Sequence, residues 1–209
     1  MTRAQRASLL HGIYVIVNEE SRALEIARAV LAAGVRIVQY RAKDGIADAR
    51  LRALRELTQG YRALLILDDD WRAAGAYECD GIHLGPGDDG FGDPARVREA
   101  LPAALIGLSC ANEEEARAAE AGGADYVGVG SVYATNSKED AGAAIGIETL
   151  KRIAASTRLP VAAIGGISLE NLREVRASGV AMAATISAVA RSADPRDAAR
   201  RLVALWNDG

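Results

Sequence analysis

Cysteine is nearly missing from this sequence. Cys79 and Cys110 are the only two, too few for a disulfide framework and at no metal-binding spacing. Aromatic residues make up 4% of the 209, with a single phenylalanine, while Ala, Val, Ile, Leu and Gly abound. That shortage speaks against an all-β sandwich and for helices packed on a buried sheet. No apolar run approaches a membrane span, and the basic start, Met1 to Leu10, has no apolar core of leader length. A net charge of −3 leaves no footprint for nucleic acid or an anionic membrane, so positive charge used in binding has to be local. The cytoplasm is the expected compartment.

What is present is regular alternation. Apolar strands are predicted at His11–Asn18, Gly34–Val38, Ala63–Leu67, Cys79–Gly85, Ala104–Ser109, Tyr126–Gly130, Pro160–Ile164 and Val180–Ile186. Helical patterns lie between them: Ser21 is the expected cap of the first, Ile46–Gln59 follows, and Ser168 is the expected cap of the helix ending near Ser178. Helix-ending glycines recur just before strands, as in Gly34-Val35, Gly123-Ala124-Asp125 and Gly179-Val180. Short connections make such a sheet parallel. The expected fold is α/β, a (β/α)8 TIM barrel forming one domain over residues 1–209, with an open doubly wound sheet as the alternative.

In a barrel the segments after the strands share one rim, where active sites sit. On that rim fall Gln39, Arg41 and Lys43, then Asp68, Asp69, Asp88, Ser109, the loop Thr135-Asn136-Ser137-Lys138, Gly165-Gly166 and Ser187. Gln39, Arg41 and Lys43 alternate along one strand end and suit a polar ring with a phosphate or diphosphate tail; the plain alternative is a solvated edge. Gly165-Gly166 before a helix start would offer N–H groups to a phosphate, with Ser187 nearby; the alternative is a turn that needs glycine. Asp69 and Asp88 could hold Mg²⁺, with Arg41, Lys43 and Lys138 neutralising the rest of a diphosphate; acidic loops are otherwise simply solvated. Gly128-Val129-Gly130 lies inside a strand and is no dinucleotide fingerprint. His11 and His83 lack a triad context, and His83, between Ile82 and Leu84, reads as a satisfied strand histidine. No protein nucleophile stands out, which favours chemistry driven by a leaving group.

Five motifs in order, from Gly12-Ile13-Tyr14 to Ile186-Ser187-Ala188, resemble one family, thiamine-phosphate synthase. They are Gln39-Tyr40-Arg41-Ala42-Lys43, Asp80-Gly81-Ile82-His83-Leu84-Gly85, Gly123-Ala124-Asp125-Tyr126-Val127-Gly128-Val129-Gly130, Thr135-Asn136-Ser137-Lys138 and Ile164-Gly165-Gly166-Ile167. The resemblance implies a (β/α)8 barrel transferase that joins an aminopyrimidine methyl diphosphate to a thiazole phosphate, or its carboxylate form, with Mg²⁺. Diphosphate would leave first and the thiazole nitrogen attack the cationic methylene. By position, Gln39, Tyr40, Arg41, Ala42, Lys43, Asp68, Ser109 and Lys138 would hold the pyrimidine diphosphate. Asp69 and Asp88 would bind Mg²⁺, and Thr135, Asn136, Ser137, Gly166, Ile186 and Ser187 would hold the thiazole phosphate. Arg41, Lys43, Lys138 and Ser109 would stabilise the departing charge.

The sequence also departs from the family. Asp68 stands where asparagine is usual, Thr-Asn-Ser-Lys replaces the commoner Thr-Pro-Thr-Lys, and Ala111 stands where many relatives carry histidine. Two other functions fit the resemblance: a thiazole tautomerase of the related barrel family, and a barrel that binds a thiamine precursor without turnover. The partners expected are small molecules, with no nucleic acid and no membrane.

Overall fold

Strands apolar on both faces must be covered on both faces, and a barrel wrapped by helices does this. The computed structural model describes residues 1–135 and 143–208. Along them run α1 (Arg3–Ala7), β1 (Gly12–Asn18), α2 (Ala23–Ala32), β2 (Ile37–Arg41), α3 (Asp48–Gly60), β3 (Leu64–Asp68), α4 (Trp71–Ala76), β4 (Gly81–Leu84) and α5 (Pro94–Ala100). Then come β5 (Leu105–Cys110), α6 (Glu113–Ala121), β6 (Tyr126–Val129), α7 (Gly146–Ser156), β7 (Val161–Ile164), α8 (Leu172–Ala177), β8 (Met182–Thr185), α9 (Ser187–Ala190) and α10 (Pro195–Asn207). The eight strands close in sequence order, all parallel, with β8 returning to β1. The sheet closes as the (β/α)8 reading expected, and the alternative, an open doubly wound sheet, is not what forms.

Side chains alternate cleanly about the barrel wall. Val15, Val38, Tyr40, Leu65, Leu67, Ile82 and Ile106 face the helices, where the Ile26, Ala27, Val30 and Leu31 stripe of α2 meets them. Tyr14, Ile16, Ile37, Leu64, Ile66, Leu105, Tyr126 and Met182 face the axis. Helix starts follow local chemistry: Asp70, Asp93, Asn112 and Asp194 each accept a first-turn N–H, and Pro94 and Pro195 follow two of these caps. Ser21 and Ser168 do not cap. The N-cap of α2 is Arg22, without a side-chain bond, and α8 begins at Leu172, while Asn171 accepts the Ser168 N–H at 2.9 Å. Helix α3 starts at Asp48, slightly after the apolar pattern begins.

The N-terminal end of the barrel is shut by α1 and Leu10. Arg6 of α1 and Arg55 of α3 clasp Asp80 just before β4, at 2.9 and 2.6 Å. Arg3 and Arg98 clasp Asp125 just before β6 in the same way. Each aspartate also takes the N–H of a neighbouring strand: Leu65 at 3.1 Å for Asp80, and Ile106 at 2.8 Å for Asp125.

Inside the barrel, missing side chains matter as much as present ones. A Cβ on Gly107 of β5 would stand 2.1 Å from the Tyr126 ring, and one on Gly128 of β6 would stand 2.8 Å from the His83 ring. Two glycines thus clear space for two rings to cross the axis. Gly107→Ala is expected to cost about 1–3 kcal/mol by overpacking. Urea unfolding reads this directly; an unchanged midpoint would mean that Tyr126 can move aside freely.

Candidate active site

The strands carry their last inward residues to the C-terminal rim, and these enclose a cavity of about 320 Å³. Its lining includes Gln39, Lys43, Asp68, Asp69, Asp88, Ser109, Thr135, Gly165, Gly166, Ile186 and Ser187. These residues were singled out on β2, β3, β5, five different loops and the junction of β8 with α9, and the barrel brings them together. Arg41, Tyr40 and Ala42 are not on this wall. Tyr40 faces the helices and donates its hydroxyl proton to Glu19, which also pairs with Arg50. The Arg41 Nε lies 3.4 Å from Asp68 Oδ2, an ion pair between a partly buried arginine and a buried aspartate at the edge of the site. Asn136, Ser137 and Lys138 lie outside the described residues.

One flank of the cavity is acidic with a lysine against it. Asp69 follows β3 in the left-handed region, φ 69°, where an aspartate is tolerated and a β-branched residue is not. Its N–H is held by the His83 carbonyl at 2.9 Å, and its carboxylate takes the Lys43 ammonium at 2.8 Å. That bond raises the Lys43 pKa above its ordinary value. Asp88 sits in the turn after β4, its Oδ2 accepting the Gly85 N–H at 2.7 Å. Its pKa is raised, first by burial and then, against the Gly85 bond, by the neighbouring Asp69 charge. Two half-buried carboxylates that repel one another form an oxygen-rich place for a divalent cation, which would relieve that repulsion. The donor set therefore fits Mg²⁺.

The opposite flank is made of small residues. Gly166 has φ 65°, and a Cβ on it would meet Tyr133 Cβ at 2.7 Å and the Ala134 carbonyl at 2.8 Å. The glycine turn is thus required by backbone angle and by close approach of the β6 loop, as the turn reading held. It does not open a helix, because α8 begins only at Leu172; the helix that starts on this wall is α9, at Ser187.

The floor of the cavity holds residues the sequence did not flag. The Gln39 amide donates to the Tyr14 hydroxyl at 2.9 Å, which lies 3.2 Å from the Tyr126 hydroxyl. That hydroxyl lies 3.2 Å from His83 Nδ1, and His83 Nε2 lies 3.0 Å from Ser109 Oγ. His83 is a satisfied strand histidine, as expected, with a partner at each ring nitrogen, and it also lines the cavity beside Ser109. Burial pushes both phenols well above their usual pKa, so each keeps its proton. Burial likewise pushes the Cys110 thiol up to about 12, so the cavity has no thiolate nucleophile there. One signal pointed to His83. An inward residue on β4, level with Asp68 on β3 by register, has to face the same cavity.

A closed parallel barrel with an acid–lysine flank, a small-residue flank and a polar floor on its C-terminal rim is an enzyme of the (β/α)8 class. The family model described as Thiamine monophosphate synthase matches residues 13–189, and the chain belongs to that family. A thiamine-phosphate synthase of Archaeoglobus fulgidus is 46% identical over 186 residues, covering 87% of this chain and 85% of its own. One of Moorella thermoacetica is 41% identical over 199 residues, covering 91% and 93%. A solved thiamine phosphate pyrophosphorylase from Pyrococcus furiosus matches with a TM-score of 0.86 at 37% identity, covering 95% of this chain and 96% of that one.

Proposed function

We propose that this chain is a thiamine-phosphate synthase, a transferase that joins an aminopyrimidine methyl diphosphate to a thiazole phosphate, or its carboxylate form, and releases diphosphate, with carbon dioxide as well from the carboxylate form. The observation that carries the reading is the Asp69–Asp88 pair with Lys43 against it, facing a glycine and hydroxyl wall across one cavity. Such a cavity suits two phosphorylated rings brought side by side.

In this reading Gln39 meets the pyrimidine edge, and Asp68 sits beside it on the next strand. Lys43, Lys138 and Arg41 hold the diphosphate, Arg41 after leaving its pair with Asp68. Ser109 gives a hydrogen bond to the departing oxygens. Asp69 and Asp88 would hold Mg²⁺, which when bound supplies charge to stabilise the leaving diphosphate. Breaking the methylene carbon–oxygen bond sends its electron pair to the diphosphate, and the thiazole nitrogen then forms the new bond to carbon. Thr135, Asn136, Ser137, Gly166, Ile186 and Ser187 position the thiazole phosphate for that attack. Positioning and electrostatics suffice because the leaving group carries the chemistry. Ala111, on the cavity wall, offers no proton carrier, which supports transfer over tautomerisation.

The protein would work in the cytoplasm as one barrel domain over 1–209; no helix among the described residues is long and apolar enough to cross a membrane. Purified protein given both substrates and Mg²⁺ is expected to yield thiamine phosphate and diphosphate in equal amounts. Binding of both substrates with no product would overturn the reading in favour of a precursor-binding barrel.

A further inference from the structure

The hydrogen-bond chain under the cavity has a direction. Gln39 Nε2 donates to the Tyr14 oxygen, so the Tyr14 proton must go elsewhere. Tyr14 is 2% exposed, and the remaining polar partner of its hydroxyl among the described residues is the Tyr126 oxygen at 3.2 Å. If Tyr126 donated to Tyr14 instead, the Tyr14 proton would be buried without an acceptor, a penalty worth about tenfold or more in population. Tyr14 therefore donates to Tyr126. Tyr126, fully buried, has its own proton left for His83 Nδ1, also at 3.2 Å. A neutral histidine that accepts at Nδ1 carries its proton on Nε2, and Nε2 faces Ser109 Oγ at 3.0 Å. Ser109 accepts that proton and is left with its own O–H to give to the cavity.

We propose that this chain, Gln39 to Tyr14 to Tyr126 to His83 to Ser109, presets the hydrogen-bonding pattern of the substrate cavity, with His83 as a positioning residue held in the Nε2–H tautomer. At one end Ser109 is a committed donor, the sense an anionic diphosphate oxygen needs. At the other, the Gln39 amide keeps one N–H, and its carbonyl has no hydrogen-bond partner among the described residues, so a donor lies beside an acceptor. That pair matches the edge of an aminopyrimidine, where an exocyclic N–H lies beside a ring nitrogen. The reverse chain would turn Ser109 toward accepting and would repel the same anion. The tautomer follows from the hydrogen bonds alone, whereas the role toward substrate rests on the synthase reading. Gly107 and Gly128 belong to the device, since a Cβ on either would displace the Tyr126 or His83 ring.

Two measurements test it separately. In the ligand-free protein, ¹⁵N-resolved spectra of the imidazoles are expected to show His83 protonated at Nε2 and bare at Nδ1. Tyr126→Phe, which removes the donor to Nδ1, is expected to erase that preference. An Nδ1–H form in the parent protein, or an unchanged preference in Tyr126→Phe, would overturn the proposal, whatever the activity.

In the two-substrate assay, Ser109→Ala and His83→Asn are each expected to lower kcat/KM about tenfold to a hundredfold, the worth of one hydrogen bond to a charged group. His83→Asn is expected to add little in the Ser109→Ala background. His83→Gln, whose amide reaches the Nε2 position, is expected to recover most of the loss seen in His83→Asn. Fully multiplicative losses in the double variant, or equal damage by glutamine and asparagine, would assign His83 a packing role and overturn the positioning role. A parent protein that makes no product rejects the synthase reading, and the spectra then judge the tautomer alone.

Discussion

Replacing Asp80 by alanine is expected to lower stability by about 3–5 kcal/mol, a large share of what a single domain has. The Asp80 side chain is 1% exposed, and its partners Arg6 and Arg55 are 12% and 15% exposed, so all three charges sit largely out of water. Its second task is structural in another sense: Oδ2 holds the Leu65 N–H as β3 enters the barrel beside β4. Alanine would strand two guanidinium groups and a buried amide together. Removing one partner of such a cluster costs far more than the cluster contributes against an apolar replacement of all its members. Urea unfolding of Asp80→Ala should show the full loss. A variant that also carries Arg6→Leu and Arg55→Leu should regain part of it. Asp125→Ala should cost less, because its partner Arg3 is 44% exposed and water can take over there. A cost below 1 kcal/mol for Asp80→Ala would mean that the clasp does not hold α1 against the barrel.

How far the sequence could be read depended on whether a signal was local. The strands were plain because Ala63 to Leu67 and its counterparts are apolar on both faces, which a barrel wall requires. Alternation along β2 put Gln39 on one face with Arg41 and Lys43, and the shared rim after the strands marked Asp68 and Ser109. Helix starts were less secure. Ser21 and Ser168 carry the right oxygen for a cap, but the turn geometry before α2 and α8 hands the N-cap position to Arg22 and Asn171. The Gly165-Gly166 turn misled for a related reason: a segment of several residues separates it from α8, so no helix dipole points out of it. The floor of the site was hidden because it is a relation between strands. Nothing in Asp80-Gly81-Ile82-His83 says that Gly128, two strands away on β6, leaves room for the imidazole. Nor does Gly107 announce that its missing Cβ admits the Tyr126 ring, which joins Tyr14 to His83. Such vacancies appear only once the register of neighbouring strands is known.

Asp69→Asn and Asp88→Asn are expected to lower turnover at least about a hundredfold, the scale of losing an electrostatic stabiliser of transition-state charge. They should differ in what they do to the metal-free protein. Asp88 ionises reluctantly because it is partly buried and faces Asp69, so its charged form is disfavoured in the fold. Asparagine removes that repulsion, and metal-free Asp88→Asn should melt no lower than the parent, and somewhat higher. Asp69→Asn also loses the bond to Lys43 and should not gain in the same way. Mg²⁺ should raise the parent's Tm, since a cation that binds only the folded state adds about 2.7 kcal/mol at a hundred times its Kd. Both variants should lose most of that rise. The thermal readout needs no substrate, so it separates metal binding from catalysis. A Mg²⁺-dependent Tm shift that survives in both variants, together with near-parental rates, would place the metal elsewhere. A shift lost in both with turnover intact would mean that the diphosphate leaves without the metal's help.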